Sequence, residues 1–343
     1  MKAVTARRYG PVETLRVEDL PRPVPGPGEV LIRVHAASVT TADWRLRAAA
    51  FPGGLALIGR LVAGLWKPRH LVPGSDVAGE IVALGAGVQG FAVGQRVLAV
   101  LGHGGHADYA LAKASGALVP IPEGMGYDAA AALPFGALTA LEFLREVARV
   151  QPGQRVLILG ASGGVGAYAV QIAAALGAEV TAVAGPGRRE LLMGLGAAEV
   201  LDYTRDRPGG RFDLIFDTVG ALDWPRSRRL LAPQGLFLPL NFGLRELWHL
   251  LRAKLAGGPR LRLHVSGDSR AALEALLDMW RAGQLTPVIG ARFPLAQIVQ
   301  AHQMVETRHR AGAVILQVGE ESPGSASGAM LAETPARLQD QVA

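Results

Sequence analysis

Six residues near the middle of the chain, Ala161-Ser162-Gly163-Gly164-Val165-Gly166, have the composition that a bound phosphate demands. A pyrophosphate must come close enough to the first turn of a helix to meet its unpaired N–H groups and positive dipole end. Side chains beyond Cβ block that approach, and the last glycine lets helix and strand pack closely. Ala161 replaces the first glycine of the G-x-G-x-x-G pattern, the smallest available departure. A second set of residues follows about twenty positions later. An NAD site usually ends its second strand with an acid that holds the ribose 2′-OH. Here that strand ends Val183-Ala184-Gly185, and Arg188 and Arg189 come next. Guanidinium forks suit a 2′-phosphate, so NADPH is expected rather than NADH. The competing account makes both arginines solvated charges at a helix start.

The elements that must position these residues are legible on either side. Val156 to Gly160 is an apolar run bounded by Gln154 and Arg155, as in a strand buried on both faces. Tyr168 to Leu176 suits a well-buried helix stopped by Gly177, and Glu179 to Ala184 a second strand. Strand, glycine turn, helix and strand make a βαβ unit.

The length of 343 residues suggests two domains, and an apolar content of 50% suits a globular chain. A net charge of +6 invites a nucleic-acid reading, but the arginines are scattered and no nucleic-acid motif accompanies them. A basic surface attracting a phosphorylated cofactor is the milder explanation. Cysteine is absent, which removes disulfides, thiolate nucleophiles and cysteine zinc sites. The opening MKAVTARRYG has no apolar core for a signal peptide, and Leu55 to Trp66 is too short to span a bilayer. A soluble, cytoplasmic protein is expected.

Residues 1–120 are rich in short alternating runs, proline and glycine. Val30 to Val34 reads as a half-buried strand, with further strands at Val77 to Leu84 and Arg96 to Val100. Asp43 to Ala50 and Leu55 to Trp66 are the helical pieces of this β-rich lobe. From Asp128 the texture changes: Pro134 to Gly136 breaks an alanine-rich run, and Thr139 to Val150 is an amphipathic helix. Strands then alternate with helices, as in a parallel doubly wound sheet whose last strand is expected at Arg262 to Val265. Residues 243–258 are amphipathic and basic, an ordinary packed helix being preferred to a membrane-surface anchor. The segment Leu55 to Trp66 either caps a substrate cleft and makes it apolar or packs against the barrel. Residues 320–343 are small and polar without periodicity, a disordered tail.

Over about residues 1–318 the chain resembles the medium-chain dehydrogenase/reductase superfamily, specifically its zinc-free, quinone-oxidoreductase-like branch. The resemblance is carried by Gly28-Glu-Val-Leu31, Ala37-Ser38 with Asp43-Trp44, Pro73-Gly-Ser-Asp76-Val-Ala-Gly79, Leu133-Pro-Phe-Gly-Ala-Leu-Thr139-Ala140, the glycine turn, Phe216-Asp-Thr-Val-Gly220 and Gly312-Ala-Val-Ile-Leu316. It implies an α/β protein with a GroES-like β-barrel catalytic domain plus a doubly wound Rossmann domain. Residues 1–122 would form the first part of the catalytic domain, 123–267 the NADP-binding domain, and 268–319 the return to the catalytic domain. Zinc-dependent relatives place metal ligands near Thr40, Ser75-Asp76 and Phe135, where this chain has no adequate set, so no metal is expected. An asparagine usually stands at Thr40 in zinc-free relatives. Many relatives have a lysine where this chain has Ala313, and no role is carried over there.

By the same resemblance, Ala161, Ser162, Gly163, Gly164, Val165 and Gly166 hold the pyrophosphate. Arg188 and Tyr203 lie by the adenosine 2′-phosphate, where the residue order after the second strand also places Arg189. Thr139, Val219, Gly220, Asn241 and Phe242 lie near the nicotinamide. Without a Lewis acid, the chemistry left open is hydride transfer from NADPH to a small, hydrophobic, electron-poor acceptor, a quinone or enone. Thr40 and Asp43, on the stretch that lines the substrate cleft in relatives, are the candidate catalytic residues, although Asp43 would equally cap a helix starting at Trp44. His103 and His106 are weaker candidates for a proton donor, and solvent is the alternative source. A catalytically inactive NADPH-binding sensor is the other functional class, and a homodimer is the family's expectation.

Overall fold

The eleven-residue strand Glu29–Val39 is the axis of the first lobe, because it pairs on both edges and is buried along most of its length. Alternation over Val30 to Val34 had suggested a half-buried strand. Neighbouring elements cover both faces instead, so Val30, Leu31 and Ile32 are buried in succession. In chain order the lobe contains β1 (Lys2–Ala6), β2 (Leu15–Asp19), β3 (Glu29–Val39), α1 (Thr41–Ala48), α2 (Ala56–Ala63), β4 (Asp76–Leu84), β5 (Arg96–Val100), β6 (Tyr109–Lys113) and β7 (Leu118–Pro120). The computed structural model describes residues 1–256 and 258–319, so the tail expected from residue 320 lies outside the described residues.

A helical run follows: α3 (Tyr127–Ala132), a π-helical turn at Pro134–Leu138, α4 (Thr139–Leu141) and a second π-helical stretch at Glu142–Ala148. Pro134 therefore does not break the helix. It lacks an N–H, and the wider π turn absorbs the misfit. The adjacent N–H of Phe135 leaves the helix and donates to Asp76 Oδ2 at 3.0 Å, which ties this run to β4 of the first lobe.

The second lobe is built from β8 (Arg155–Leu159), α5 (Gly166–Ala175), β9 (Glu179–Ala184), α6 (Arg189–Gly194), β10 (Glu199–Asp202), β11 (Phe212–Asp217), α7 (Trp224–Leu230), β12 (Leu231–Pro239), α8 (Leu244–Ala256) and β13 (Arg260–Leu261). Its six strands are all parallel in the order β10-β9-β8-β11-β12-β13, the doubly wound arrangement that reverses direction beside β8. The last strand is Arg260–Leu261, two residues before the stretch expected. After α9 (Arg270–Arg281), β14 (Ile289–Pro294), α10 (Ile298–Thr307) and β15 (Ala313–Gln317) return to the first sheet, with Val314 opposite Val39. That sheet runs β14-β15-β3-β4-β5-β7, with β6 also paired to β3. One core fills the barrel around Val30, Ile81 and Leu316. A larger one runs beneath α5 and the π-helical run through Ile158, Tyr168 and Phe216. None of the helices described is long and apolar enough to cross a membrane.

Candidate active site

The glycine turn between β8 and α5 is built by contacts that tolerate no side chain. Both the Gly160 and Ala161 N–H groups donate to Val183 O, at 3.0 and 2.9 Å, which docks the turn on β9. A Cβ on Gly166 would stand 2.1 Å from Gly160 O, and one on Gly160, at φ +73°, 2.4 Å from Val219 Cγ1. The N–H groups of Gly164 and Val165 donate to no other described residue. They are free at the N-terminus of α5, the arrangement that attracts an anion.

A cleft of about 600 Å³ runs along this turn, lined by Ser162, Gly163, Val183, Ala184, Gly185, Arg188, Tyr203, Val219, Arg308 and Arg310 among others. Tyr203 is half exposed and its ring lies over Gly185, at van der Waals distance from where a Cβ would stand, so it is not a merely buried aromatic. Arg188 also borders an adjoining cavity of about 280 Å³ with Arg189, Asp202, Arg205 and Asp206. Arg189 is turned away from the cleft, its Nη2 donating to Val200 O at 3.2 Å. Of the expected arginine pair, only Arg188 faces both cavities. Hydrogen bonds from Thr204 hold the Asp202 carboxyl below the usual range, so it is charged beside Arg188.

The end of the site expected to hold the nicotinamide is organised by a buried carboxylate that the sequence reading left without a role. Asp217 Oδ1 accepts from the N–H groups of Val219 at 3.1 Å and Gly220 at 2.7 Å, and Oδ2 accepts from Leu222 N at 2.9 Å. Burial raises its pKa, while these donors oppose the rise. Asn241 joins the lobes: its Nδ2 donates to Thr218 O at 3.3 Å, and its Oδ1 accepts from Arg45 of α1. It lines a small cavity with Thr41, Phe135, Gly163, Gly164, Val165, Val219, Arg308 and Arg310. Thr139 is buried instead, its Oγ1 donating to Phe135 O at 2.7 Å within the helix. Phe242 is partly exposed and lines neither of these cavities.

Sequence reasoning missed the two arginines on the returning chain. Arg310 is largely buried, and one of its guanidinium nitrogens lies 3.4 Å from where a Cβ on Gly164 would stand. Burial and the neighbouring Arg308 lower its pKa to about 10, so it is still cationic at neutral pH. Arg308 Nη2 donates to Val219 O at 2.8 Å. Only the pairing of β15 with β3 brings this loop over the glycine turn. The signal available was the run Arg308-His309-Arg310 just before Gly312.

Thr40 and Asp43, the expected catalytic pair, are committed to each other. Asp43 Oδ2 accepts from Thr40 N at 2.8 Å and Thr40 Oγ1 at 2.6 Å, Thr40 Oγ1 accepts from Asp43 N, and Asp43 Oδ1 accepts from Gly74 N. Both are buried, and together they form a capping box that starts α1. This geometry corrects the catalytic expectation, since both side chains are spent on the capping box and neither lines the cavities beside the glycine turn. His106 is buried with Nε2 2.9 Å from Ser38 O, and His103 stacks on His70 with centroids 3.5 Å apart. Neither borders the glycine-turn cleft.

Two lobes of this kind, a GroES-like barrel and a doubly wound sheet meeting at a glycine turn, define a two-domain α/β oxidoreductase. Residues 26–123 match the family model described as the alcohol dehydrogenase GroES-like domain, and residues 195–316 that of the zinc-binding dehydrogenase. The chain is 30% identical over 314 residues to the chloroplast envelope quinone oxidoreductase homolog of Arabidopsis thaliana, covering 87% of this chain and 92% of that protein. The solved quinone oxidoreductase from Coxiella burnetii superposes with a TM-score of 0.82 at 28% identity, over 93% of this chain and 99% of that one. A mycobacterial protein solved in complex with NADPH gives a TM-score of 0.78 at 29% identity, over 92% and 99%. The chain belongs to the medium-chain dehydrogenase/reductase family, in its quinone-oxidoreductase-like branch.

The description of one matching model invites a test for zinc. Where relatives would place ligands, Asp76 Oδ2 accepts from Ser38 Oγ and Phe135 N, and Thr40 is spent on its cap. Burial, then the Asp43 charge, pushes the Asp76 carboxyl up to about 7. A half-protonated carboxyl beside hydroxyls is a poor donor set for zinc, which wants thiolate, imidazole or carboxylate ligands. Among the described residues no three His, Cys, Asp or Glu side chains come together as a metal site. The donors do not fit the metal.

Proposed function

We propose that this oxidoreductase is NADPH-dependent and zinc-independent, and that it transfers hydride to a quinone, an enone or a similar activated acceptor. The observation that carries the reading is the cleft itself. Free N–H groups of Gly164 and Val165, Arg310 above them, and Arg188 with no acid at the end of β9 match a phosphate-rich dinucleotide. In this reading Gly164, Val165 and Arg310 hold the pyrophosphate, while Arg188 and Tyr203 hold the adenosine end. Val219, Gly220 and Asn241 orient the nicotinamide. NADPH, when bound, supplies a hydride from C4 of its nicotinamide.

The chain's own contribution is placement. Asp217 holds the Val219–Gly220 turn by three backbone N–H groups, and the Arg45–Asn241 bond fixes one lobe against the other. No carboxyl or imidazole lines the small cavity beside Asn241, so the reduced acceptor takes its proton from solvent. Because the donors around Asp76 and Thr40 do not fit zinc, this reading gives the site no Lewis acid and restricts acceptors to those already electron-poor. Cytoplasmic residence and a homodimer belong to the same proposal.

The test is oxidation of NADPH and NADH, followed by absorbance, against a panel of quinones and enones. Turnover with NADPH preferred supports the reading. Turnover with NADH preferred removes the role given to Arg188. Tight NADPH binding without any turnover makes the chain a sensor.

A further inference from the structure

Two helices turn their apolar faces to solvent. In α2 no residue is buried: Leu57, Ile58, Leu61 and Val62 are exposed, as are Leu65 and Trp66 just beyond, with Trp66 at 85%. In α8, Leu244, Leu247, Trp248 and Leu251 fall on one helical face by spacing, and all four are exposed. A helix of a globular protein ordinarily turns such a stripe to the core. Here α2 buries none of its residues, whereas α8 packs on the second lobe through Leu250, as expected of an ordinary packed helix, and leaves the Leu244–Leu251 stripe uncovered. The cavities beside the glycine turn include no residue of α2; Val62 and Ala63 instead border a cavity of about 80 Å³ with Asp43, Arg47 and His103. The two helices begin side by side, Leu244 N donating to Gly53 O at 2.9 Å.

Charge separates the possible occupants of this surface. The sequence from 51 to 70 carries Arg60, Lys67 and Arg69 and no acid. That from 243 to 260 carries Arg245, Arg252, Lys254 and Arg260 against Glu246. These two stretches account for the entire net charge of +6, and the rest of the chain is balanced. A second copy meeting the same surface would bring two like-charged patches together, which opposes association. An anionic lipid surface complements the charge, takes the apolar side chains into its acyl boundary, and suits tryptophan at headgroup depth.

We propose that α2, the Leu65–Arg69 stretch and α8 form a docking surface for an anionic phospholipid bilayer, lying in its interface without crossing it. The surface adjoins the site, since Asn241 stands three residues before Leu244. Docking does not depend on the chemistry assigned to that site.

The experiment is co-sedimentation of the full chain with vesicles of phosphatidylcholine alone or mixed with phosphatidylglycerol. Binding is expected to the mixed vesicles and to weaken as salt rises. Lys67→Glu with Arg69→Glu should lower the affinity at least about fivefold per cation removed. Trp66→Ser with Trp248→Ser should abolish binding at low salt, with the thermal midpoint unchanged. The proposal is overturned if mixed vesicles capture nothing at low salt, or if both variants bind as wild type does. It is equally overturned if light scattering shows a wild-type oligomer that the tryptophan variant loses, because a second copy would then cover the surface.

Discussion

Replacing Asp76 by asparagine tests the buried contact that joins the lobes. Asp76 is buried, and its carboxyl is pushed up to about 7 from an ordinary 3.8 by burial and by Asp43. Between those two values the folded protein holds a proton on Asp76 that the unfolded chain has released. Stability therefore falls as pH rises from about 4 to about 7 and is flat above that. The rise in pKa corresponds to a loss on the order of 4 kcal/mol once both states are ionised. Asparagine keeps an oxygen for Ser38 Oγ and Phe135 N but cannot ionise. His302, buried and held neutral chiefly by burial, works the other way, since it costs stability as pH falls through its unfolded value. It is common to both proteins and cancels in their difference. The assay is urea unfolding of wild type and Asp76→Asn at intervals between pH 5 and pH 8. The variant should gain on wild type progressively, by roughly 3 kcal/mol between pH 5 and pH 8, the rest of the loss falling below pH 5. A difference that stays constant with pH, or that favours wild type more at pH 8, refutes the argument.

Three further outcomes follow from the site. Arg188→Ala should lower kcat/KM for NADPH about tenfold, the worth of one partly exposed charge-assisted contact, and leave NADH unchanged; equal losses for both cofactors would remove Arg188 from the 2′-phosphate. Gly166→Ala gains about 1 kcal/mol of helix propensity, but its Cβ would press on backbone atoms at 2.1 and 2.7 Å that cannot yield. Calorimetric titration should find NADPH binding lost, and wild-type affinity would contradict the packing argument. Asp43→Ala strands the buried N–H groups of Thr40 and Gly74 and should cost roughly 3 kcal/mol in denaturant. Its kcat should stay within about twofold of wild type if the residue only caps α1, whereas a tenfold loss would return Asp43 to the chemistry.

The sequence determined whatever depends on neighbours along the chain. The apolar run before the glycine turn, the turn itself and the helix after it are local, so β8, α5 and β9 were legible, as were the alternating strands and helices beyond them. The missing acid after β9 and the two arginines were equally plain. Tertiary structure alone decided which of those arginines faces the cleft, because α6 turns Arg189 toward Val200. It alone brought Arg310 over Gly164, since that contact requires β15 to cross back to β3. Pro134 read as a break because a proline lacks the N–H a helix uses, yet a π turn and the Asp76 carboxyl answered for the bond. The helices α2 and α8 show the limit most directly. Periodicity marks that one face of a helix is apolar, but what covers that face is a property of the folded surroundings, and here the described chain leaves it bare.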